Sequence, residues 1–204
     1  ARVFPSDRYA IHMTNDRVVQ RTGFAVRRAV AFSANPDLVG LALDLDARHP
    51  LRSGADITVR HGGNVLRLLS IHLKTGCSRD PLSRSTRPQC ETLRAQMAPL
   101  QGWMAERQRE LAPYAILGDF NRQMDSKDQF LAGLQQTAPL VRATEGKSNP
   151  CGRGSGFIDH ILLGGAARGW LEGDSLRVLT YRDMPAGEAP SDHCPVSVRL
   201  RLPG

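Results

Sequence analysis

Short stretches in which apolar and polar residues alternate dominate the first third of the chain. A period of two is typical of strands that bury one face. The turn sequence His61–Asn64 separates two such stretches and predicts a hairpin, whereas residues 1–16 and 47–54 are predicted as a polar lead-in and a loop. The absence of intervening helical patterns favours antiparallel pairing here. The predicted strands are Thr22–Val30, Leu38–Leu45, Ala55–Arg60 and Val65–Leu73.

A helical period follows the loop 74–88. Apolar residues recur at three- and four-residue intervals and predict one helix that begins near Pro88 and buries one face. Pro99 and Gly102 are expected to kink or split this helix. The apolar face consists of Leu93, Met97, Leu100, Met104 and Leu111.

Short apolar runs and polar loops alternate through the second half of the chain. The mixture of strands and helices predicts an α+β fold, and 204 residues suit a single domain spanning 1–204. The predicted elements are strands at Tyr114–Leu117, Phe157–Leu163, Ser175–Tyr181 and Pro195–Leu202, a helix at Ser126–Leu134, and loops at 144–156 and 183–190.

Composition narrows the class of partner. No apolar run approaches 18 residues, so no membrane span is predicted. A net charge of +7 favours a polyanion, either nucleic acid or an anionic lipid surface. Lysine occurs only at 74, 127 and 147, so the positive charge is mostly arginine, which suits phosphate contacts. Arginine enrichment can equally reflect the base composition of a genome.

Four cysteines lack the short spacing of a zinc or redox motif. We expect a disulfide between Cys77 and Cys90, which bracket a polar loop, and a second between Cys151 and Cys194. Two disulfides would indicate a secreted or periplasmic protein. Four reduced thiols in a bacterial cytoplasm are the alternative.

Polar residues recur at the ends of predicted strands. Asp119 and Asn121 follow an apolar strand and, on an extended segment, would project to the same side. A carboxylate suits Mg²⁺, and an asparagine amide can donate to a phosphate oxygen. Asp159 lies inside an apolar strand, where a carboxylate needs a partner. The other polar residues of this kind are His72, Asp192 and His193.

The four runs SIHLK, GDFN, FIDHI and SDHCPV together resemble the endonuclease/exonuclease/phosphatase superfamily, which includes pancreatic deoxyribonuclease and abasic-site endonucleases. The resemblance extends from about residue 20 to the C-terminus. It implies a four-layer α/β/β/α sandwich of two mostly antiparallel sheets, with the active site at one edge.

The resemblance also implies roles for individual residues. His193 corresponds to the general base that activates water, and Asp159 to the carboxylate that orients it. His72 corresponds to the histidine that contacts phosphate. His160 follows Asp159 directly, so it is expected to face the other side of the strand and is excluded.

The same resemblance implies a metal site. Asp119 and Asn121 correspond to the pair beside the scissile phosphate and the attacking water. Asp192, and Asp119 as well, would be metal ligands. The expected chemistry is in-line hydrolysis of a phosphodiester assisted by Mg²⁺ or Mn²⁺.

The sequence departs from this family at its beginning. The family's opening strands carry an Asn and a metal-binding Glu, usually preceded by Gln, and no Gln-Glu pair precedes residue 20. We therefore expect an N-terminally truncated fold with weaker metal affinity. An exposed sheet edge would permit a homodimer.

Three functions remain open from the sequence. The first is a DNA nuclease, supported by the charge and by the arginine-rich loop 79–87. The second is a phosphodiesterase of phospholipids or sphingomyelin, although aromatic residues that could insert into a membrane make up only 5% of the chain. The third is a non-catalytic protein that binds nucleic acid or dimerises.

Overall fold

The computed structural model describes residues 3–43, 50–151, 156–181, 184 and 188–204. A six-stranded sheet is accompanied by two ladders of two strands each, so the predicted α+β class is confirmed. The strands are β1 (Tyr9–Met13), β2 (Gly23–Arg27), β3 (Ala31–Ala34), β4 (Ala55–His61), β5 (Asn64–His72), β6 (Tyr114–Asp119), β7 (Leu140–Arg142), β8 (Asp159–Gly164), β9 (Arg177–Val178) and β10 (Val196–Ser197). The helices are α1 (Pro88–Ala95), α2 (Met97–Arg109) and α3 (Gln129–Thr137), with 3₁₀ turns at Val39–Leu41 and Gly165–Gly169.

The main sheet has the order β3-β4-β5-β6-β8-β7. β4 and β5 form the predicted hairpin, whose turn residues Gly62 and Gly63 have positive φ, as a tight turn requires. β5 and β6 are parallel and are joined through α1 and α2. Every other neighbouring pair of this sheet is antiparallel, so the sheet is mostly antiparallel, as predicted.

The helices cover one face of this sheet. Leu69, Ile71 and Ile116 point from the strands into a core shared with Leu100 and Phe130 of the helices. Trp170, Leu171 and Leu200 pack against a smaller cluster that includes Leu66, Ala115 and Leu163. Among the described residues, the predicted second large sheet is not found; two separate ladders, β1–β2 and β9–β10, accompany the main sheet.

The predicted helix is split into two, as expected, but the break lies at Gln96 rather than at Pro99 or Gly102. Pro99 explains the position, because its missing N–H and its ring disfavour a helical bond to the carbonyl of Ala95. The buried Gln96 side chain fixes the break by donating to the Leu41 carbonyl and accepting from the Lys74 N–H, both at 2.9 Å.

Several predicted boundaries were wrong. The expected strand Leu38–Leu45 is a 3₁₀ turn over Val39–Leu41, held by a single bridge between Leu38 and Gly54; residues 44–49 lie outside the described ranges. The lead-in contains β1, and the first predicted strand is shorter than expected because β2 ends at Arg27. A turn closed by the Val30 N–H follows it, and the next strand, β3, was not predicted.

Boundaries in the second half also moved. α3 begins at Gln129 because Asp128 caps it, accepting from the Phe130 and Leu131 N–H groups. β7 was not predicted. Of the last two predicted strands only the short pair β9 and β10 is regular. The predicted loops 144–156 and 183–190 lie partly outside the described residues.

Both predicted disulfides are present. Cys77 pairs with Cys90 and Cys151 with Cys194, at Cα separations of 5.1 and 6.1 Å. Within the described ranges, no helix combines the length and the apolar character that crossing a bilayer requires.

Candidate active site

Three adjacent strands place three polar residues in one row. His72 ends β5 and lies opposite Asp119 at the end of β6, while Asp119 lies opposite Asp159 at the start of β8. Residues in register on neighbouring strands project to the same face, so all three side chains meet at one edge of the sheet. His72 Nε2 lies 3.4 Å from Asp119 Oδ2.

His193 reaches this row from the loop that precedes β10. Its Nδ1 lies 2.9 Å from Asp159 Oδ2, and its Nε2 lies 3.9 Å from Asp119 Oδ2. The Ser191 hydroxyl accepts the His193 N–H at 3.0 Å, and the disulfide between Cys194 and Cys151 fastens the loop. A histidine distant in sequence is thereby held against both carboxylates.

Asn121 holds Asp119 in place. Its backbone N–H donates to Asp119 Oδ1 at 2.7 Å, and its side-chain amide donates to Asp119 Oδ2 and to the Leu73 carbonyl, each at 3.0 Å. Strand alternation does not produce this arrangement, because β6 ends at Asp119 and Asn121 has a φ of 51° in the left-handed region.

Gly118 permits this close strand end. A Cβ at this position would lie 2.1 Å from the Ile71 carbonyl oxygen, and its φ is 132°. Any side chain here would push β5 and β6 apart beside His72 and Asp119.

The site keeps poorly compensated negative charge. Burial raises the pKa of Asp119 to about 6, with the nearby Asp159 charge adding to the rise and the Asn121 bond opposing it. Burial likewise raises the pKa of Asp159, against the hydrogen bond to His193. Burial disfavours the charged form of His193, but Asp159, Asp119 and Asp192 outweigh it and raise its pKa.

His72 behaves in the opposite way. Burial, followed by the positive charge of Arg52 and by His193, lowers the pKa of His72 to about 4. The imidazole is therefore neutral at physiological pH and can donate a hydrogen bond without carrying a charge.

Asp119, Asp159 and His193 could hold a metal ion. One ligand atom from each lies within 4.8 Å of the others. A divalent cation would stabilise the ionised form of carboxylates whose pKa values are raised. Mg²⁺ is commonly held by one or two carboxylates together with substrate phosphate and water. The predicted ligand Asp192 is exposed and stands outside this three-residue group, although it adds negative charge nearby.

Two cavities adjoin each other at this edge. One, of about 430 Å³, is lined by Asn121, Asp159, Asp192 and His193, so it contains most of the predicted residues. A larger one, of about 780 Å³, lies beside it and shares Gln123, Gly156 and Phe157 as a common wall; its lining includes Arg79 and Arg142. Four of the six predicted site residues therefore line the smaller cavity.

His160 lies apart from the site, as expected from its place on β8. It is 2% exposed, and its ring nitrogens lie 2.7 Å from the Thr144 hydroxyl and 2.9 Å from the Arg122 carbonyl oxygen. Burial lowers its pKa to about 4. It is a structural residue of the core.

Solved structures resemble this chain over nearly its whole length. NExo from Neisseria meningitidis, a 3′-5′ exonuclease, matches 98% of this chain and 82% of its own at 18% identity and a TM-score of 0.62. The chain has the endonuclease/exonuclease/phosphatase fold. Humanised TDP2 from D. rerio matches 97% of this chain and 76% of its own, at 17% identity and a TM-score of 0.65.

Two further comparisons agree with this fold. An endonuclease/exonuclease/phosphatase family protein from Leptotrichia buccalis matches 98% of this chain and 75% of its own, at 13% identity and a TM-score of 0.59. NExo, also described as a 3′ phosphatase, has been solved with a product DNA hairpin. No protein-family model and no curated protein sequence matches the chain.

Sequence reasoning missed two contributors to the site. Arg52 belongs to a segment predicted only as a loop, yet extending the β4–β5 register beyond Ala55 and Ser70 leads to it. The role of the Cys151–Cys194 bond as an anchor for His193 follows from the adjacency of Cys194 to His193 in the sequence.

Proposed function

We propose that this protein is a metal-dependent phosphodiester hydrolase that cleaves nucleic acid, with DNA as its main substrate. The observation that carries the proposal is the contact of His193, on a loop distant in sequence, with Asp159 and Asp119 at the strand ends. His193 lies 2.9 Å from Asp159 through Nδ1 and presents Nε2 toward Asp119. This is the arrangement of a base, the carboxylate that orients it, and a second carboxylate beside the reacting group.

The chain's own residues would divide the work as follows. Asp159 accepts a hydrogen bond from the Nδ1–H of His193, which fixes the tautomer and leaves Nε2 free to take a proton from water. The raised pKa of His193 makes it a stronger base. Neutral His72 donates to a phosphate oxygen, while Asn121 keeps Asp119 oriented toward the same space.

Asp119 and Asp159 are the residues that would hold Mg²⁺ or Mn²⁺, with Asp192 at the rim as a further carboxylate. When bound, the ion would supply positive charge that polarises the phosphoryl group. Both carboxylates have raised pKa values, so the site favours a positively charged occupant.

DNA as substrate is supported by charge and by similarity of fold. The chain carries +7, and Arg79 lines the cavity next to the site. A DNA hairpin is bound in the NExo structure that shares this fold. The two disulfides support a secreted or periplasmic location.

We further propose that the protein functions as a single domain with the four-layer sandwich. A homodimer that joins two copies through an open sheet edge is one way in which the second sheet could be completed. β9 and β10 have only two residues each, and β1 pairs with β2 alone. Sedimentation of the purified chain would test the dimer.

The test of function is cleavage of supercoiled plasmid with Mg²⁺ or Mn²⁺, with EDTA and the His193→Ala variant as controls. We expect nicking that EDTA abolishes and that the variant lowers by about 10³-fold. Equal cleavage by wild type and variant would overturn the assignment.

The two alternative functions, a lipid phosphodiesterase and a non-catalytic binding protein, predict different results when lipid substrates and DNA binding are assayed as well. Turnover of sphingomyelin or phospholipid vesicles without plasmid cleavage would replace DNA by a lipid substrate. Salt-sensitive retention of DNA without turnover in any metal would instead identify a binding protein.

A further inference from the structure

Arg142 is a buried cation on the wall of the larger cavity. It ends β7, it is 9% exposed, and its Nε has no hydrogen-bond partner within the described part of the chain. Its Nη1 donates to the Thr144 hydroxyl at 3.3 Å, and no described carboxylate lies within 4.0 Å of the guanidinium. Burying a charge without a counter-ion is unfavourable. An anion that entered this cavity would supply the missing charge.

A second buried arginine on the same cavity provides the comparison. Arg122 is 3% exposed, and its Nε lies 2.7 Å from Asp128 Oδ2. Its Nη1 donates to the Cys77 carbonyl at 2.8 Å. The charge of Arg122 is therefore used inside the protein, whereas the similarly buried Arg142 keeps a charge that a ligand can meet.

Neutral groups hold Arg142 in place. His160 Nε2 lies 2.9 Å from the Arg122 carbonyl oxygen, which can only accept, so Nε2 carries the ring proton. His160 Nδ1 then accepts from the Thr144 hydroxyl at 2.7 Å. A hydroxyl has one hydrogen, so the Thr144 oxygen is left to accept from Arg142. These bonds orient the guanidinium without cancelling its charge.

The other charged side chains on the cavity wall balance one another. Asp80 and Lys147 are in ion pairs with Arg87 and Asp174. The remaining two bases and two acids are Arg79, Lys127, Asp125 and Glu145. Burial lowers the pKa of Arg142, although nearby carboxylates oppose this shift. The excess positive charge of the wall therefore belongs to Arg142.

The larger cavity lies where a neighbouring nucleotide can reach it. It shares Gln123, Gly156 and Phe157 with the smaller cavity, which contains Asp159 and His193. Its volume of about 780 Å³ is within the range of small-molecule sites. Every nucleotide of a strand carries a phosphate, and arginine suits phosphate because it can donate two parallel hydrogen bonds. A strand with one phosphate beside His193 would bring an adjacent phosphate toward this cavity.

We propose that the larger cavity is a second anion subsite, in which Arg142 binds the phosphate of a nucleotide adjacent to the phosphodiester that is cut. The proposal rests on the phosphodiesterase function argued above. Arg142 would strengthen substrate binding and bias the position of the cut, without contacting the reacting atoms. Its loss should therefore raise KM more than it lowers kcat.

Two dinucleotides that differ only in their terminal phosphates test this role. One is thymidylyl-(3′→5′)-thymidine, TpT, and the other is the same molecule phosphorylated at both ends, pTpTp. Cleavage of the internal phosphodiester with Mn²⁺ is followed by chromatography. The variants are Arg142→Met and Arg142→Lys, and the matched control is Arg109→Met at the exposed end of α2.

We expect wild type and Arg109→Met to prefer pTpTp over TpT by about tenfold in kcat/KM, the worth of one charge-assisted hydrogen bond. Arg142→Met should lose this preference, mainly through KM. Arg142→Lys should retain part of it, because a lysine keeps the charge but not the planar fork.

Binding is measured on the same proteins without turnover. Thymidine 3′,5′-bisphosphate or inorganic phosphate is titrated in EDTA while thermal unfolding is followed, with sodium chloride holding ionic strength constant. The bisphosphate at ten times its wild-type Kd should raise the Tm of wild type and Arg109→Met by about 4 °C, and that of Arg142→Met by about 1 °C. The ligand-free Tm of Arg142→Met should stay equal or rise, because an uncompensated charge has been removed.

Equal protection of wild type and Arg142→Met by the bisphosphate would overturn the proposal, and so would a preference for pTpTp that survives in Arg142→Met. Arg142-dependent protection by inorganic phosphate, with both dinucleotides cut equally well by wild type, would assign the cavity to free phosphate and refute the substrate subsite. If neither the dinucleotides nor plasmid DNA is cut while the bisphosphate protects wild type and not Arg142→Met, the anion subsite stands and the phosphodiesterase function fails.

Discussion

Asp56 on β4 and Asp119 at the end of β6 belong to the same sheet but have opposite surroundings. Asp56 is 1% exposed and accepts hydrogen bonds from Arg67, Trp103 and Asn35 at 2.6 to 2.9 Å. Asp119 accepts only from Asn121 within the described residues, and its nearest side-chain nitrogens of basic residues belong to histidines at 3.4 and 3.9 Å.

The difference separates a structural charge from one available for chemistry. The charge of Asp56 is fully used inside the protein, so it has nothing left for a ligand. Burial without enough donors raises the pKa of Asp119, and that deficit is what a metal or a cationic group would fill. The side chains of Asp56 and Asp119 are 1% and 14% exposed, so both are largely shielded from water, and the number of donors around each carboxylate distinguishes them better than burial.

The largest expected effect is a loss of cleavage rate when the candidate site around Asp119 is changed. Asp159→Asn should lower the rate of DNA cleavage by about 10³-fold, because an amide favours the wrong tautomer of His193. Circular dichroism should show an unchanged fold. A variant that cuts within tenfold of wild type would remove Asp159 from the mechanism.

Replacing the structural Asp56 should lower stability and leave activity unchanged, the opposite of the result expected for Asp159. Asp56→Ala takes away the carboxylate that pairs with the partly buried Arg67 and accepts from the buried Trp103, so urea denaturation should show a loss of about 3 kcal/mol. Activity per folded molecule should remain near that of wild type. A stable but inactive Asp56→Ala protein would contradict the distinction between the structural Asp56 and the functional Asp119.

The disulfides extend the same comparison. Replacing Cys77 and Cys90 with serine should cost about 3 kcal/mol of stability and little activity per folded molecule. Replacing Cys151 and Cys194 should also lower activity by about tenfold, because the His193 loop loses its anchor. Activity assays under conditions where each variant is folded would separate the two effects, and equal activities would exclude the anchoring role.

The smallest effect concerns pH. The base must be neutral His193, and its raised pKa means that the rate reaches half its maximum above the ordinary histidine value of 6.5 and rises with pH. Asp192→Asn removes one of the charges that raise this pKa, so its midpoint should move down by a few tenths of a unit. A midpoint that stays fixed, or moves up, would contradict this electrostatic account. Because His193 interacts with Asp159 and Asp119, the measured midpoint is an apparent pKa of all three groups together.

Local patterns predicted much of the fold. The β4–β5 hairpin follows from alternation and from the Gly62–Gly63 turn, and His160 could be set aside because neighbours on a strand face opposite sides. These features depend on a few adjacent residues.

Features that depend on long-range contacts were predicted poorly. The 3₁₀ turn at Val39–Leu41 has strand-like composition, and the Leu41 carbonyl is held by Gln96, 55 residues away. Arg52 looks like any loop arginine until the register places its segment beside His72. The order of polar residues at strand ends identified the rest of the candidate site because those residues converge at one edge.

The most direct test is to measure activity and stability on the same Asp119→Asn protein, with Asp174→Asn, an exposed neutralisation, as the control. The folded-state pKa of Asp119 lies above the ordinary aspartate value, so at pH 7.5 its ionisation opposes folding. Removing that charge and weakening the Asn121 bonds are opposing effects of about 1–3 kcal/mol each. We predict a free energy of unfolding in EDTA within about 1 kcal/mol of wild type, or higher, with Mn²⁺-dependent DNA cleavage at least about 10²-fold slower. Cleavage at the wild-type rate, or a loss of activity explained by unfolding alone, would contradict the assignment of this edge as the active site.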